Sequence, residues 1–277
     1  MLHFKHLNIR IIKNTVDEKS SILSALRDIE VICNCLSYEL LHNGKTIECY
    51  KEILNTEYLI KTGTFNNLAK FIHLSSTLIY ELESLNNIDE SYKPIIKNEL
   101  QYLALYWEKV VTNLCEKNNI VSIILRPANP IGPGDRSSFF TRLLTSHAKN
   151  AYPIVKTGSA KISLIDVRDI GKAIEWFTNK NFIDRGMFLL KGFDSSWIEI
   201  KQHIDLCLGK KSNEIYLSDR LNKEELNKYG LTPFSAKIFN IDRVWDDTKI
   251  RRLGFKPTFS LTEAIRSYIE FSKMLTE

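Results

Sequence analysis

The feature of this sequence that most constrains its fold is the alternation of short apolar runs with segments of helical periodicity. The apolar runs include Val31-Ile32-Cys33, Phe71 to Leu74 and Val121 to Leu125. Between them, residues 46 to 62 and 98 to 117 place apolar side chains at the three- and four-residue spacing of a helix. Strands that alternate with helices in this way favour a parallel α/β sheet.

Composition narrows the class of protein. The chain has 277 residues, of which 44% are hydrophobic and 26% charged, so it is globular and has room for one large domain or two modest ones. Its formal net charge of +5 is spread along the sequence. We interpret the densest basic cluster, Lys249-Ile250-Arg251-Arg252, as a solvated helix face and not as a nucleic-acid site. A weak positive field favours a phosphorylated small molecule as the ligand.

The five cysteines indicate neither a disulfide framework nor a structural zinc site, because no Cys-x-x-Cys spacing occurs. We interpret Cys33-Asn34-Cys35 as small residues at the end of a buried strand, and not as a metal or redox site. No apolar run approaches the length needed to span a bilayer, and nothing resembles a signal peptide. We therefore expect a cytoplasmic protein with no membrane partner.

The chain changes character after Pro127. Pro130, Gly132, Pro133 and Gly134 follow closely, so we expect neither strand nor helix at this point. Further on, Asp169 is expected to cap a helix.

The chemistry of the sequence centres on Ser75 and Ser76, two hydroxyls at the end of an apolar run, and on Tyr102 in a later helical segment. Proton or hydride transfer at such a site needs a hydroxyl that orients the alcohol or carbonyl of the substrate and a phenol that donates or accepts the proton. It also needs a cation that holds the pKa of the phenol near working pH, since free tyrosine, near pKa ~10, is a poor base. Ser76 and Tyr102 supply the first two groups.

Ordered motifs along nearly the whole chain carry a family resemblance. They are Asn14-Thr15-Val16-Asp17, Val31 to Ser37, Ser75-Ser76 with Tyr80, Tyr102, Arg126 to Gly134, Asp166 to Ile170, and Asp247 to Gly254 with Pro257. Together they resemble the extended short-chain dehydrogenases/reductases, the sugar-nucleotide epimerase/dehydratase family.

The resemblance implies a Rossmann-like parallel sheet, NAD or NADP as the cofactor, and a nucleotide-sugar or related small molecule as the substrate. It makes Ser76 and Tyr102 catalytic and assigns Ser76 and Asn129 to substrate binding. The residues that it assigns to the cofactor are Asn14, Thr15, Asn34, Cys35, Ser75, Tyr102 and Pro127. It also implies a homodimer formed through the helices near residues 46 to 62 and 98 to 117.

Two departures from the family pattern shape the functional hypothesis. Tyr106 stands four residues after Tyr102, where the family has lysine, and Lys109 lies on another helix face. No Gly-x-x-Gly-x-x-Gly turn, which cradles the pyrophosphate in the family, occurs in the sequence. We therefore expect an incomplete Rossmann-like domain over residues 1–165, interleaved with a small α+β substrate-binding region and C-terminal helices over 166–277. The expected function is an impaired family member, with a non-catalytic binding protein or a truncated remnant of such an enzyme as the alternative.

Structural roles remain open for several of these residues. Ser75 and Ser76 could cap a chain reversal, and Tyr102 and Tyr106 could be core or interface aromatics. Asn129 could bond the backbone of its own turn. In addition, Arg126 is expected to pair with a carboxylate at a strand end.

Overall fold

The central element of the protein is a parallel β-sheet, seen here in a computed structural model that describes residues 25–42, 44–64, 67–134, 139–179, 185–218, 220 and 222–274. In chain order the strands are β1 Val31–Asn34, β2 Lys70–Leu74, β3 Leu85–Ile88, β4 Val121–Pro127, β5 Asn129–Ile131, β6 Tyr152–Val155, β7 Lys161–Asp166, β8 Gly186–Leu190, β9 Phe193–Ser196, β10 Glu214–Leu217 and β11 Arg243–Trp245. The helices are α1 Leu36–His42, α2 Thr46–Gly63, α3 Glu99–Lys117, α4 Phe139–Ala148, α5 Val167–Thr178, α6 Trp197–Leu208, α7 Lys223–Lys228, α8 Pro233–Ile238, α9 Thr248–Arg252 and α10 Leu261–Met274.

The central sheet has the strand order β1-β2-β4-β8, and each strand runs parallel to its neighbours. Strand β2 is buried along its whole length, as expected for a strand covered on both faces. Helices α2 and α3 pack against each other, and both contribute side chains to the hydrophobic core around this sheet. The parallel α/β fold predicted from the sequence is confirmed.

A second sheet runs in the order β3-β11-β7-β5, with β9 antiparallel to β7. Strands β6 and β10 form a separate parallel pair. Strands β5, β6, β7 and β10 and helices α4, α6 and α10 contribute to a second hydrophobic core, whose largest side chains include Phe140, Tyr152 and Trp197. Residues beyond 166 contribute to both cores, because Phe177, Phe188 and Trp245 belong to the first.

The expectation that the chain forms no strand just after Pro127 was wrong. Asn129–Ile131 is the short strand β5, and it pairs in parallel with β7 from Asn129↔Leu164 to Ile131↔Asp166. Pro130 is tolerated there because β5 lies at the end of the strand order of its sheet, where a missing N–H donor leaves no neighbouring strand unpaired.

The expected cap of helix α5 was also wrong, by three residues. The N-cap is Asp166, whose side chain accepts a hydrogen bond from the backbone N–H of Arg168 at 2.8 Å. Asp169, which is fully buried, accepts bonds from the N–H of Thr258 at 3.0 Å and of Phe259 at 3.1 Å. Its carboxylate therefore fixes the segment before α10 against α5, a contact between residues far apart in the sequence.

None of the described helices is long and apolar enough to cross a membrane.

His73 is an unusual polar residue in the centre of β2. Its side chain is fully buried, packs 5.3 Å from Trp107 between ring centroids, and neither ring nitrogen has a hydrogen-bond partner in the described part of the chain. Burial lowers the pKa of His73 from 6.5 to about 3. The imidazole is therefore neutral in the folded protein at pH 7.

We predict that His73 makes the protein less stable as the pH falls. Between pH 6.5 and about 3 the unfolded chain binds a proton at His73 that the folded chain does not, so the free energy of unfolding falls as the pH falls through this window. The variant His73→Leu should remove this dependence of stability on pH. It should also raise stability at pH 7 by about 1 kcal/mol, because two unpartnered nitrogens leave the core.

Urea unfolding measured at a series of pH values tests this prediction. The control is His203→Gln, which alters a histidine that is only partly buried and that hydrogen-bonds Thr262. An unchanged pH slope in His73→Leu would contradict the assignment.

Candidate functional site

The candidate site lies at the carboxyl edge of the central sheet, where the chain places five of the predicted site residues: Asn34, Cys35, Ser75, Ser76 and Pro127. The register Asn34↔His73 and Leu74↔Leu125 brings the ends of β1, β2 and β4 to one edge. Beyond it, the N–H of Ser75 donates to the carbonyl of Leu125 at 2.8 Å. The edge of a parallel sheet where strands end is the common ligand-binding position in such folds.

Ser75 is held by a buried ion pair. Its hydroxyl donates to Oε1 of Glu108 at 2.5 Å, and Glu108 is bound by Arg126 through Nε at 2.9 Å and Nη2 at 2.5 Å. Both charged side chains are over 90% buried. The two-pronged contact fixes the orientation of the guanidinium and the carboxylate together.

Tyr80 extends this network towards the second sheet. Its hydroxyl accepts a hydrogen bond from Nη1 of Arg126 at 2.9 Å, and its ring stacks on Trp245 with centroids 4.9 Å apart. Burial raises the pKa of Tyr80, although Arg126 opposes the shift. Burial also acts to lower the pKa of Arg126, but Glu108 and Tyr80 outweigh it, so this pKa is raised. Arg126 is therefore firmly cationic and Tyr80 is a neutral phenol.

Ser76 caps the turn that follows β2. It is buried, and its Oγ accepts the N–H of Leu78 at 3.0 Å at the start of a 3-10 turn over Thr77–Ile79. The capping role left open by the sequence is thus present for Ser76, whereas Ser75 bonds Glu108 instead. The catalytic and substrate-binding roles of Ser76 stay predictions.

Helix α3 turns one polar and buried face towards this segment. Gln101 donates to the carbonyl of Tyr80 at 3.0 Å, and Ala104 and Glu108 follow it at helical spacing as buried residues. The asparagine Asn98 caps the helix by accepting the N–H of Gln101 at 3.0 Å. Between Gln101 and Glu108, the side chain on this face is therefore the methyl group of Ala104, and not a phenol or an ammonium group.

Tyr102 lies on a different face of α3. One residue after Gln101, it is rotated by about 100° around the helix axis. Its side chain is 51% exposed and stacks on Tyr106 with centroids 5.8 Å apart and planes at 5°. Tyr50 of α2 lies nearby, and its pKa is raised by desolvation and by the proximity of Glu99 and Tyr102. The structure does not place Tyr102 on the face that contacts Ser75 and Tyr80, and its catalytic role and its role towards the cofactor stay predictions.

The residues predicted to bind the cofactor are distributed around the sheet edge. Asn34 is buried; its Nδ2 donates to Thr56 at 3.1 Å and its Oδ1 accepts the N–H of Leu36 at 3.0 Å. The carbonyl of Pro127 accepts the hydroxyl of Thr77 at 3.3 Å. Asn14 and Thr15 lie outside the described residues.

The sheet edge thus has the position that a dinucleotide takes in this fold class. The side chains of Asn34 and Ser75 are engaged by other parts of the protein. The side chain of Cys35 is exposed at this edge, and its role towards the cofactor stays a prediction.

Cys33 and Cys35 differ from the expectation that they end a buried strand. Both side chains are exposed, and their sulfur atoms are 3.5 Å apart. Residues two positions apart in a strand share one face, so both thiols lie on the side opposite the buried Asn34.

In the described part of the chain, Asn129 bonds a neighbouring strand and not its own turn. Its Nδ2 donates to the carbonyl of Ser163 in β7 at 3.1 Å, which joins β5 to its neighbour. Asn129 is half-buried and begins β5, two residues after β4 ends, and its role in substrate binding stays a prediction.

Sequence reasoning missed Gln101 and Glu108. Arg126 does pair with a carboxylate, as expected, but the carboxylate comes from a helix and not from a strand end. A signal was available, since Gln101 and Glu108 are seven residues apart and interrupt the buried face of an otherwise apolar helical pattern. No group of three or more His, Cys, Asp or Glu side chains in the described part is placed to hold a metal ion.

Comparison with known families gives a match over most of the chain. Residues 3–186 match the model of the NAD dependent epimerase/dehydratase family. Among curated proteins, the chain is 21% identical to a 3beta-hydroxysteroid-dehydrogenase/decarboxylase, isoform 2, of Arabidopsis thaliana. That similarity covers 97% of this chain and 53% of the plant protein, so the chain spans about half the length of this curated relative.

Solved structures share the fold. A UDP-glucuronic acid 4-epimerase from Bacillus cereus in complex with NAD is 19% identical, with a TM-score of 0.72, and the match covers 96% of this chain and 81% of that one. A dTDP-glucose 4,6-dehydratase from Bacillus anthracis in complex with NAD is 14% identical, with a TM-score of 0.74, covering 97% of this chain and 81% of that one. The architecture is that of Rossmann-like epimerases and dehydratases.

We predict that Glu108→Gln destabilises the protein by about 3–5 kcal/mol, because it leaves the buried guanidinium of Arg126 without a negative partner. The measurement is urea unfolding monitored by circular dichroism. The matched control is Glu57→Gln, which removes one partner of the exposed Lys61–Glu57 pair and should cost less than about 1 kcal/mol.

The double variant Glu108→Gln/Arg126→Met should lose less stability than the two single variants added together, since it removes both charges. Equal losses for Glu108→Gln and Glu57→Gln would contradict the buried pair.

Proposed function

Because the chain belongs to the NAD-dependent epimerase/dehydratase family, we propose that it binds a nucleotide-sugar at the carboxyl edge of its central sheet and that its hydride chemistry is strongly impaired. NAD or NADP is the cofactor that the family implies, and it supplies hydride exchange at a sugar carbon when bound. The chain's own contribution is the binding and orientation of the sugar, with Ser76 and Asn129 as the proposed contacts.

The substrate class is supported by fold neighbours and by charge. The epimerase from Bacillus cereus has also been solved with UDP-glucuronic acid and NAD. The net charge of +5 in the present chain favours a ligand that carries a diphosphate.

The proposal that the chemistry is impaired rests on the face of helix α3 that contacts the segment after β2, which contains Ser75 and Ser76. This face presents Gln101, Ala104 and Glu108, and the carboxylate is already bound by Arg126. The phenol of Tyr102 is half exposed on another face, and the residue four positions later is a second tyrosine in place of a cation. A phenol without a neighbouring cation keeps a pKa too high for efficient proton abstraction at pH 7.

A separate observation supports a role in protein–protein interaction. Five large apolar or aromatic side chains on the outer faces of α2 and α3 are between 41% and 69% exposed: Ile47, Tyr50, Leu54, Tyr102 and Tyr106. We call these five residues the α2–α3 stripe. A contiguous apolar surface of this kind is typical of a protein interface. We propose that the stripe joins two copies of the chain.

The proposed function is tested with UDP-glucuronic acid and UDP-glucose in the presence of NAD. We expect the nucleotide-sugar to raise the melting temperature, since it binds the folded state only. We expect turnover below about 0.01 s⁻¹, compared with about 1–10³ s⁻¹ for typical enzymes. Products are separated by anion-exchange chromatography and identified by mass.

Variants of the two stacked tyrosines decide the role of Tyr102. Tyr102→Phe and Tyr106→Phe remove one hydroxyl each from equivalent exposed positions. If Tyr102 is not the acid/base, both variants keep whatever turnover the chain has. Turnover near 1 s⁻¹ that only Tyr102→Phe abolishes would contradict the impairment and establish the phenol as catalytic. Failure of every nucleotide-sugar to bind would exclude the proposed substrate class.

The dimer is tested by analytical ultracentrifugation. The variant Leu54→Asp should raise the dissociation constant of the dimer tenfold or more, because the new carboxylate would be buried in an apolar contact. The matched control is Leu206→Asp on α6, a leucine of similar exposure (68%, against 66% for Leu54) outside the stripe. A wild-type chain that stays monomeric at tens of micromolar, or equal effects of both substitutions, would exclude the stripe as the interface.

A further inference from the structure

A pair of cysteines flanks Asn34 at the carboxyl end of β1. The sulfur atoms of Cys33 and Cys35 are 3.5 Å apart, and both side chains are exposed. Cys49 and Cys115 are buried, so reagents in solution do not reach them in the folded chain as they reach this pair.

The backbone under the two thiols is fixed. Strand β1 pairs with β2 through Cys33↔Ile72 and Asn34↔His73, and the side chain of Asn34 is anchored to Thr56. Residues two positions apart can be separated by at most about 7 Å. Cα atoms joined by a disulfide are usually about 4.4–6.8 Å apart, so closing the bond needs only a small tightening of the end of β1.

The two sulfur atoms share a proton unequally. The hydrogen bond between the two sulfur atoms lowers the pKa of Cys35 to about 7, although desolvation acts in the opposite direction. The same interaction, together with burial, raises the pKa of Cys33. Burial also raises the pKa of Cys49, of Cys207 and, to about 12, of Cys115. The direction of this shift favours Cys35 as the attacking thiol of the pair.

We propose that Cys33 and Cys35 form a redox-active dithiol, in which Cys35 attacks small disulfides of the glutathione class and Cys33 closes an intramolecular disulfide. The proposal is independent of the proposed function. It places a site of covalent modification at the carboxyl edge of the central sheet, where the cofactor is predicted to bind.

The reaction balances in two steps. The thiolate of Cys35 attacks one sulfur of glutathione disulfide, the S–S bond breaks, and one glutathione thiolate leaves. Cys33 then loses its proton, which passes to solvent or to that thiolate, and its sulfur attacks the sulfur of Cys35. The second glutathione thiolate leaves and is protonated. Two protein thiols are oxidised and one glutathione disulfide is reduced to two glutathione molecules.

The test treats the reduced full-length chain with glutathione disulfide at pH 7, quenches with acid, and alkylates the remaining thiols for mass spectrometry. We expect the loss of two of the five thiols and no retained glutathione. The tryptic peptide of residues 28–45 contains Cys33 and Cys35 as its cysteines, so it should carry the disulfide.

Single substitutions separate the two roles. Cys33→Ser should stop the reaction at a stable glutathione adduct on Cys35. In Cys35→Ser, modification of the peptide should be roughly fivefold slower or more, since the thiolate fraction falls with the loss of the low-pKa thiol. The matched control Cys207→Ser should close the disulfide at the wild-type rate. A stable adduct on the wild-type peptide, no reaction, or equal rates for wild type and Cys35→Ser would each overturn the proposal.

Discussion

The contact between Glu108 and Arg126 determines how the rest of the site is arranged. It joins a helix to the end of a strand through two short hydrogen bonds in a place that water does not reach. Burying two charges costs about as much as their attraction returns, so such a pair does more to specify an arrangement than to stabilise it. Here it specifies the rotation of α3 about its own axis. Ser75 and Tyr80 then bond to the same pair and fix the segment between them.

The rotation of α3 decides which side chains can take part in chemistry. Once Glu108 points at Arg126, the residues four and seven positions earlier, Ala104 and Gln101, must lie on the same face. Tyr102 and Tyr106, which are four residues apart, share a neighbouring face and stack on each other. That face lies beside Tyr50 of α2 and belongs to the apolar stripe. The same pair of charges that orders the strand-end serines therefore turns the tyrosines outwards.

Local periodicity was enough to predict the elements of the central sheet, because each is defined by spacing within a short window. The helix expected over residues 98 to 117 is Glu99–Lys117, and the strand expected from Phe71 is Lys70–Leu74. The ordered motifs were enough to predict the family and the Rossmann-like fold. What failed depended on partners far away in the sequence. Asp169 binds Thr258, and Pro130 is acceptable in a strand because of where β5 lies in its sheet.

The site was also hard to predict because it depends on contacts between residues that are far apart in the sequence. A motif spacing gives the distance between Ser76 and Tyr102 along the chain, but the side of a helix on which a residue lies depends on what the other residues of that helix bind. Glu108 and Gln101 have partners in β4 and in the turn after β2, and those partners could not be paired with them from the sequence. The roles of individual residues were therefore less predictable than the family.

The cysteine pair is connected to this arrangement through hydrogen bonds. Asn34, between the two thiols, donates to the hydroxyl of Thr56, and the same hydroxyl accepts the indole N–H of Trp107 at 3.0 Å. Trp107 is fully buried and directly precedes Glu108 on α3. Closing a disulfide around Asn34 requires its flanking backbone to tighten, and the first contacts to feel that change are those with Thr56. Because Thr56 also binds Trp107, two buried hydrogen bonds connect Asn34, between the two cysteines, to helix α3.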